Sequence, residues 1–117
     1  MFKIEADQVK KRFNVYAEGF FLMDEASAFV KEFTEKSKVA NSKTLTLVVD
    51  TRKLSAGTPE VAENMSSVIE LYINTPFKER YAYKLESRIA QSQVIRVGKG
   101  QKGFELIKFI DSESEIK

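Results

Sequence analysis

The chain has 117 residues, of which 43% are hydrophobic and 31% charged, and its formal net charge at pH 7 is +2. This length and composition are typical of one globular domain that spans residues 1–117. The near balance of charge argues against non-specific nucleic-acid binding, which needs a concentrated basic surface. Because the sequence has neither Cys nor His, disulfides, thiolate chemistry and His-dependent nucleophilic sites are excluded.

Targeting and metal-binding signals are missing from the sequence. The first eleven residues carry charges throughout, unlike a signal peptide. No apolar run approaches the roughly 20 residues that a membrane span needs. No acidic cluster has the spacing of a calcium loop, and we expect neither a metal nor another cofactor. These absences together predict a cytoplasmic protein without a membrane span.

Two short strands are predicted at the start of the chain. Residues 2–6 alternate between apolar and polar side chains, and residues 12–21 do so with Phe13 and Val15 on one face. The polar residues 7–11 between them fit a turn. The pattern therefore predicts an antiparallel hairpin.

An amphipathic helix is predicted to follow, from about Asp24 to Lys38. Asp24 and Glu25 place negative charge at the positive end of the helix dipole. Apolar side chains then recur at helical spacing, at Ala26, Phe29, Val30 and Phe33.

The middle of the chain contains the most informative segment, TLTLVVDTRKLSAGTP, which covers residues 44–59. Its apolar run predicts a strand buried on both faces, of the kind that is usually central and parallel. Thr58, Pro59 and Glu60 supply an N-cap, a first helical residue and an acid in the first turn. One apolar helical face follows, made of Val61, Met65, Val68, Ile69 and Tyr72. Ligands and partners of open α/β sheets commonly bind where such a strand delivers the chain into a loop and a helix.

The C-terminal third is predicted to contain two more strands, at residues 80–85 and 104–110. Residues 87–97 fit either a short helix or a strand. Residues 111–113 resemble the opening of a final helix. The order is ββαβαβ(α)β, and the helical connections imply right-handed crossovers between locally parallel strands. We therefore predict an α/β domain in which one mixed sheet of about five strands is covered by helices.

This arrangement resembles the SpoIIAA-like fold of STAS domains, the family of anti-sigma-factor antagonists. The resemblance extends over nearly the whole chain and is based on three segments. These are the opening hairpin that ends in Gly19 before Asp24-Glu25, the strand end VVDTRKL, and FIDSESE near the C-terminus. It implies a non-enzymatic regulatory domain that binds protein partners.

The resemblance also implies a difference from the family's regulators. They carry an Asp-Ser pair at the start of the helix after the central strand, and a partner kinase phosphorylates that serine. Here Thr58 is near the position of the family's Asp, and Pro59 stands where the serine would be. Proline cannot be phosphorylated, so the usual phosphoswitch is expected to be missing. The closing helix of the family is expected to be cut short near Lys117.

The loop after the central strand is the candidate partner-binding site. Its candidate residues are Asp50, Thr51, Arg52, Ser55, Thr58 and Glu60. A phosphate near a helix N-terminus is electrostatically favoured, which makes the hydroxyls candidate phosphoacceptors or partner contacts. The same residues also have a structural interpretation, since Ser and Thr commonly cap turns and helices and Asp50 can bond loop amides.

Aromatic residues are frequent in this chain, with nine Phe and four Tyr. Most of them lie on predicted core faces, so core packing is the preferred explanation. The run Phe20-Phe21-Leu22-Met23 differs, because four successive apolar residues cannot all point inward from one strand. At least one of the four is expected to be exposed and to serve as a partner contact.

Basic residues are concentrated in the C-terminal half, at Lys78, Arg80, Arg88, Arg96, Lys99 and Lys102. They fit an anionic partner or a solvated surface, and the solvated surface is the preferred explanation.

The sequence leaves three hypotheses for function. The first is a non-enzymatic protein–protein interaction domain that docks through the loop after the central strand. The second is a carrier of a lipid or other apolar small molecule between helix and sheet. The third is a structural protein that self-associates. An enzyme is not expected, since no paired carboxylate or Lys constellation is visible.

Overall fold

Five strands form one mixed sheet whose spatial order, β1-β2-β3-β4-β5, is the order of the sequence. The computed structural model describes residues 1–20, 22–55 and 57–116. β1 and β2 are antiparallel, and every later pair of neighbouring strands is parallel. The strands are β1 (Phe2–Asp7), β2 (Arg12–Ala17), β3 (Thr46–Asp50), β4 (Glu79–Tyr83) and β5 (Ile107–Ile110). The predicted α/β class, the hairpin and the mixed five-stranded sheet are confirmed.

Three helices connect the parallel strands: α1 (Met23–Ala40), α2 (Pro59–Asn74) and α3 (Arg88–Lys99). Along each strand, every second side chain points to the same face of the sheet. The apolar residues of the helices pack against these side chains and form one core with them. Every predicted core residue of α2 is buried: Val61, Met65, Val68, Ile69 and Tyr72. All three helices therefore lie on the same face of the sheet. This face is hereafter the helix face, and the opposite one is the open face.

Side chains, rather than helices, cover the open face. Val48, Tyr81, Tyr83 and Ile110 form a second buried cluster there, and Ile116 packs against it. The Lys108 ammonium lies 5.4 Å from the centre of the Tyr81 ring. β3 is thus buried on both faces, as its apolar run predicts.

Several predicted element ends differ from the structure. β2 ends at Ala17 rather than at residue 21, because Gly19 takes a left-handed conformation (φ 76°) that ends the extended strand. Phe21 lies outside the described residues. The predicted strand over residues 104–110 begins only at Ile107, after a short 3-10 turn.

Capping residues mark the structure of two other C-terminal segments. Residues 87–97 belong to a helix, and the Ser87 hydroxyl caps it by accepting from the amide of Ala90 (3.1 Å). In place of the predicted final helix there is a single 3-10 turn, Glu113–Glu115, closed by a capping box between Ser112 and Glu115. Lys117 lies outside the described residues. No helix in the described part of the chain has the length and apolar character to cross a membrane.

Arg80 connects the end of α2 to β4. Its side chain is buried, and its Nε donates to the Tyr72 carbonyl at 2.7 Å. Its Nη2 donates to the carbonyls of Ile73 (3.2 Å) and Thr75 (2.7 Å). These are the acceptors that a helix C-terminus leaves without an intrahelical partner. The prediction that Arg80 belongs to a basic surface is therefore wrong.

Replacing Arg80 is expected to destabilise the fold. Arg80→Ala removes a charged donor from three carbonyls and should lower the free energy of unfolding by about 2–3 kcal/mol. Arg80→Lys should recover only part of this loss, because an ammonium lacks the planar fork that reaches several carbonyls. Urea unfolding followed by far-UV circular dichroism measures both effects. The exposed Arg88→Ala is the matched control, with an expected change within about 0.5 kcal/mol. An equal loss for Arg80→Ala and Arg88→Ala would contradict this role.

Candidate functional site

The β3–α2 loop, residues 51–58, lies at the carboxyl edge of the sheet and is anchored through its backbone. The amide of Gly19 donates to the carbonyl of Lys53 (3.1 Å), and the amide of Ser55 donates back to the carbonyl of Gly19 (2.9 Å). On the other side, the amide of Glu86 donates to the carbonyl of Arg52 (2.9 Å). The loop is therefore bonded both to the segment after β2 and to the segment after β4.

Gln93 of α3 holds the last part of this loop. Its side-chain amide donates to the carbonyl of Gly57 (2.9 Å), and its oxygen accepts from the Gly57 amide (3.2 Å). A Cβ at position 57 would lie 2.5 Å from Cβ of Val61, so only glycine fits at this position without displacing α2. Sequence reasoning missed Gln93, because nothing in its spacing distinguishes it from a surface glutamine.

Asp50 and Arg52 form a paired cluster at the open face. Arg52 Nε donates to Asp50 Oδ1 (2.9 Å) and Arg52 Nη2 donates to Asp50 Oδ2 (2.8 Å). The guanidinium also lies 4.3 Å from the centre of the Tyr83 ring. The hydrogen bond from the Arg52 side chain holds the pKa of Asp50 below its usual value, despite the opposing effect of partial burial. This arrangement agrees with the structural interpretation of Asp50. Tyr83 also belongs to the cluster, and sequence reasoning missed it.

The pairing of Asp50 predicts a stability difference that depends on pH. A carboxyl whose pKa is lower in the folded than in the unfolded chain stabilises the fold above its unfolded pKa, near 4, and loses that effect as the pH falls through the folded value. Asp50→Asn should therefore cost roughly 0.5–1 kcal/mol at pH 7, a range discounted for the solvent exposure of Arg52. The difference between variant and wild type should shrink as the pH falls below about 4. Urea titrations at several pH values measure it.

Asp111→Asn makes the same charge change at an exposed carboxyl 3.3 Å from Lys84 and serves as the control. We expect no measurable change for it at either pH. A pH-independent cost for Asp50→Asn would contradict the ionic origin of the effect.

The other predicted site residues do not join this cluster. Thr51 lines a cavity between the sheet and the helices. The hydroxyl of Thr58 accepts from the amide of Val61 (3.4 Å), which makes Thr58 the N-cap of α2 as predicted. Glu60 is exposed in the first turn of the same helix, and Ser55 is half-buried beside Gly19. The six residues therefore extend from the end of β3 to the first turn of α2 and do not surround one centre.

An exposed apolar segment lies beside this loop. We use the name apolar segment for Phe20, Leu22 and Met23, which are 59%, 61% and 53% exposed. Gly19, directly before them, forms a parallel bridge with Leu54 of the β3–α2 loop. The predicted exposure in this run is thereby confirmed, whereas its proximity to the loop depends on a long-range pairing that the sequence does not reveal.

The cavity beside Thr51 lies between the helices and the helix face of the sheet. It has a volume of about 60 Å³ and an almost entirely apolar lining that includes Val49, Tyr72 and Phe109. Pockets for drug-sized ligands have volumes of about 300–1,000 Å³. The cavity thus has room for only a few carbon atoms as it stands, and a lipid would require the helices to separate from the sheet. The carrier hypothesis stays a prediction.

A hollow on the open face is lined by charged residues of both signs. Its volume is about 290 Å³, and its walls include Lys3, Glu5, Arg12 and Glu113 together with the Asp50–Arg52 pair. Lys3 lies 3.2 Å from Glu5, and Arg12 lies 3.7 Å from Glu113. Because these charges balance one another, the hollow does not favour an ionic ligand of either sign.

The strand order bears on whether a ligand crevice forms at the carboxyl edge. In doubly wound sheets a crevice opens where the strand order reverses and neighbouring connections leave on opposite faces. Here the order does not reverse among the five strands, and the three helical connections all lie on the helix face. Among the described residues there is also no group of three or more acidic side chains that could hold a metal ion. As far as the described residues show, the strand order therefore gives this edge no crevice of the doubly wound kind.

Comparisons with known proteins add nothing to this geometry: no family model matches the sequence, no curated protein matches it, and no solved structure matches the fold.

Proposed function

We propose that this chain is a non-enzymatic interaction domain that binds a protein partner at the carboxyl edge of its sheet. The observation that carries the proposal is the bridge between Gly19 and Leu54, which places the apolar segment beside the β3–α2 loop. Two features that are weak separately thereby lie side by side.

The chemistry of this surface suits protein binding. Large exposed apolar side chains at its centre would be removed from water by a partner, which is the main source of affinity in most interfaces. Polar groups of the loop, including Arg52, Thr58 and Glu60, would form its rim. Because backbone bonds anchor the loop, little conformational entropy would be lost on binding.

The resemblance to STAS domains supports the same assignment, since the serine whose phosphorylation switches partner binding in those regulators is carried by the equivalent loop. We infer that binding here is not controlled by the family's phosphoswitch, because Pro59 occupies the position of the phosphorylated serine. Thr58 is a poor replacement, because its hydroxyl already caps α2.

Leu22→Ser tests the proposal without weakening the fold. Leu22 is the N-cap of α1, has extended backbone angles and makes no side-chain capping bond. Serine is a preferred N-cap residue, so the variant should be as stable as wild type or more stable. It removes an apolar side chain from the centre of the surface, and capture of specific partners should fall about tenfold. Affinity capture from cells of the source organism, quantified by mass spectrometry, measures this.

Val9→Ser is the matched control. Val9 is 93% exposed in the hairpin turn at the opposite end of the sheet, so the substitution removes similar apolar surface elsewhere. The proposal requires partners that wild type and Val9→Ser retain and that Leu22→Ser loses. If all three proteins retain the same partners, the surface is wrongly placed.

A further inference from the structure

The outer edge of β1 has backbone groups that no strand pairs. Among the described strands, β1 pairs only with β2. The amide of Glu18 donates to the carbonyl of Met1 (3.0 Å), which makes these two residues a hydrogen-bonded pair of the ladder. Since such pairs alternate along an antiparallel ladder, Lys3 and Glu5 also bond inward to β2. The N–H and C=O groups of Phe2, Ile4 and Ala6 therefore point to the free edge.

The surroundings of this edge leave room for another strand. A hollow of about 910 Å³ separates β1 from the last turns of α1. Val39 of α1 lines this hollow and is 90% exposed. An unpaired edge beside exposed apolar surface is a template for an added strand.

We propose that the added strand is β1 of a second copy, so that the chain forms a homodimer whose two sheets join edge to edge. In this dimer the two β1 strands are antiparallel and the twofold axis passes through Ile4. Ile4 then faces Ile4 of the second copy, and Phe2 faces Ala6 of the second copy. Each of these pairs consists of residues whose backbone groups point to the free edge.

Charge selects this register over its neighbours. With the axis at Ile4, Lys3 of each copy lies opposite Glu5 of the other, on the same face and in a closely spaced pair. Moving the axis to Lys3 would place Lys3 opposite Lys3, and moving it to Glu5 would place Glu5 opposite Glu5. Opposite charges stabilise cross-strand pairs and like charges destabilise them. The edge is thus self-complementary only in the register proposed.

Lys36 controls access to this edge. Its ammonium donates to the Ile4 carbonyl at 2.7 Å and lies 3.1 Å from Glu32 Oε2. In the monomer it therefore occupies a backbone acceptor that the second copy needs. Rotation of the side chain towards Glu32 frees the acceptor and keeps the ion pair. Lys36→Ala should accordingly strengthen the dimer.

Charge reversal at positions 3 and 5 tests the register. Both side chains are largely exposed, at 67% and 61%, so the substitutions should leave the fold intact. Lys3→Glu or Glu5→Lys alone puts like charges opposite each other twice per dimer and should weaken dimerisation about tenfold. The double variant Lys3→Glu/Glu5→Lys restores both pairs and should return the dimer dissociation constant to near the wild-type value. Sedimentation velocity over a dilution series at low salt measures the constants.

Lys10→Glu and Glu70→Lys, both exposed, are controls that make the same changes in net charge elsewhere and should leave dimerisation unchanged. A protein that stays monomeric at every concentration overturns the proposal. So does a dimer that is insensitive to the single reversals, or one that the double variant fails to restore. Leu22→Ser should not change dimerisation, so failure of the dimer and failure of the proposed docking surface are separable.

Discussion

The direction in which the chain crosses between parallel strands governs most of this structure. Each crossover adds the next strand on the same side of the last one, and a right-handed connection then places its helix on the same face every time. Three helices thus share one face, and Tyr81, Tyr83 and their cationic neighbours cover the other. The same constraint removes the crevice that a reversal of strand order would create. Besides the outer surfaces of the helices, this leaves for function an edge of strand ends, an open face whose charges are largely paired, and the sides of the sheet.

The carboxyl edge and the free edge of β1 differ in how firmly their exposed groups are held. At the carboxyl edge, backbone bonds from Gly19, Glu86 and the Gln93 side chain fix the loop, while apolar side chains beside it remain in water. At the outer side of β1, a single flexible side chain, Lys36, occupies one backbone acceptor. A fixed loop suits recognition of a partner with a defined shape. A side chain that can move off the strand edge, as Lys36 can, suits a strand that is paired in one state and free in another.

Local pattern was sufficient for most of the fold, because most helices and strands have a clear apolar pattern; α3 is the exception, since residues 87–97 fit either a helix or a strand. Val61 to Tyr72 shows this for α2, and the Thr58 cap fixes where that helix begins. The errors lie where a tertiary contact decides. The sequence predicts that Arg80 is a surface cation, but its side chain is buried and donates hydrogen bonds to the carbonyls at the end of α2. The candidate site was only half predictable for the same reason: the exposure of the apolar segment follows from its composition, but its position beside the loop depends on the Gly19–Leu54 bridge.

The small apolar cavity behind Thr51 has a consequence for how this protein responds to pressure. This space of about 60 Å³ has an almost entirely apolar lining and is left unfilled by the packing of the folded chain. Unfolding lets water fill that space, so the system contracts, by an amount that in proteins of this size is on the order of tens of mL/mol. Hydrostatic pressure acts on that contraction directly. The space between the helices and the sheet thus contributes to the pressure sensitivity of the fold, and it lies away from the free edge of β1.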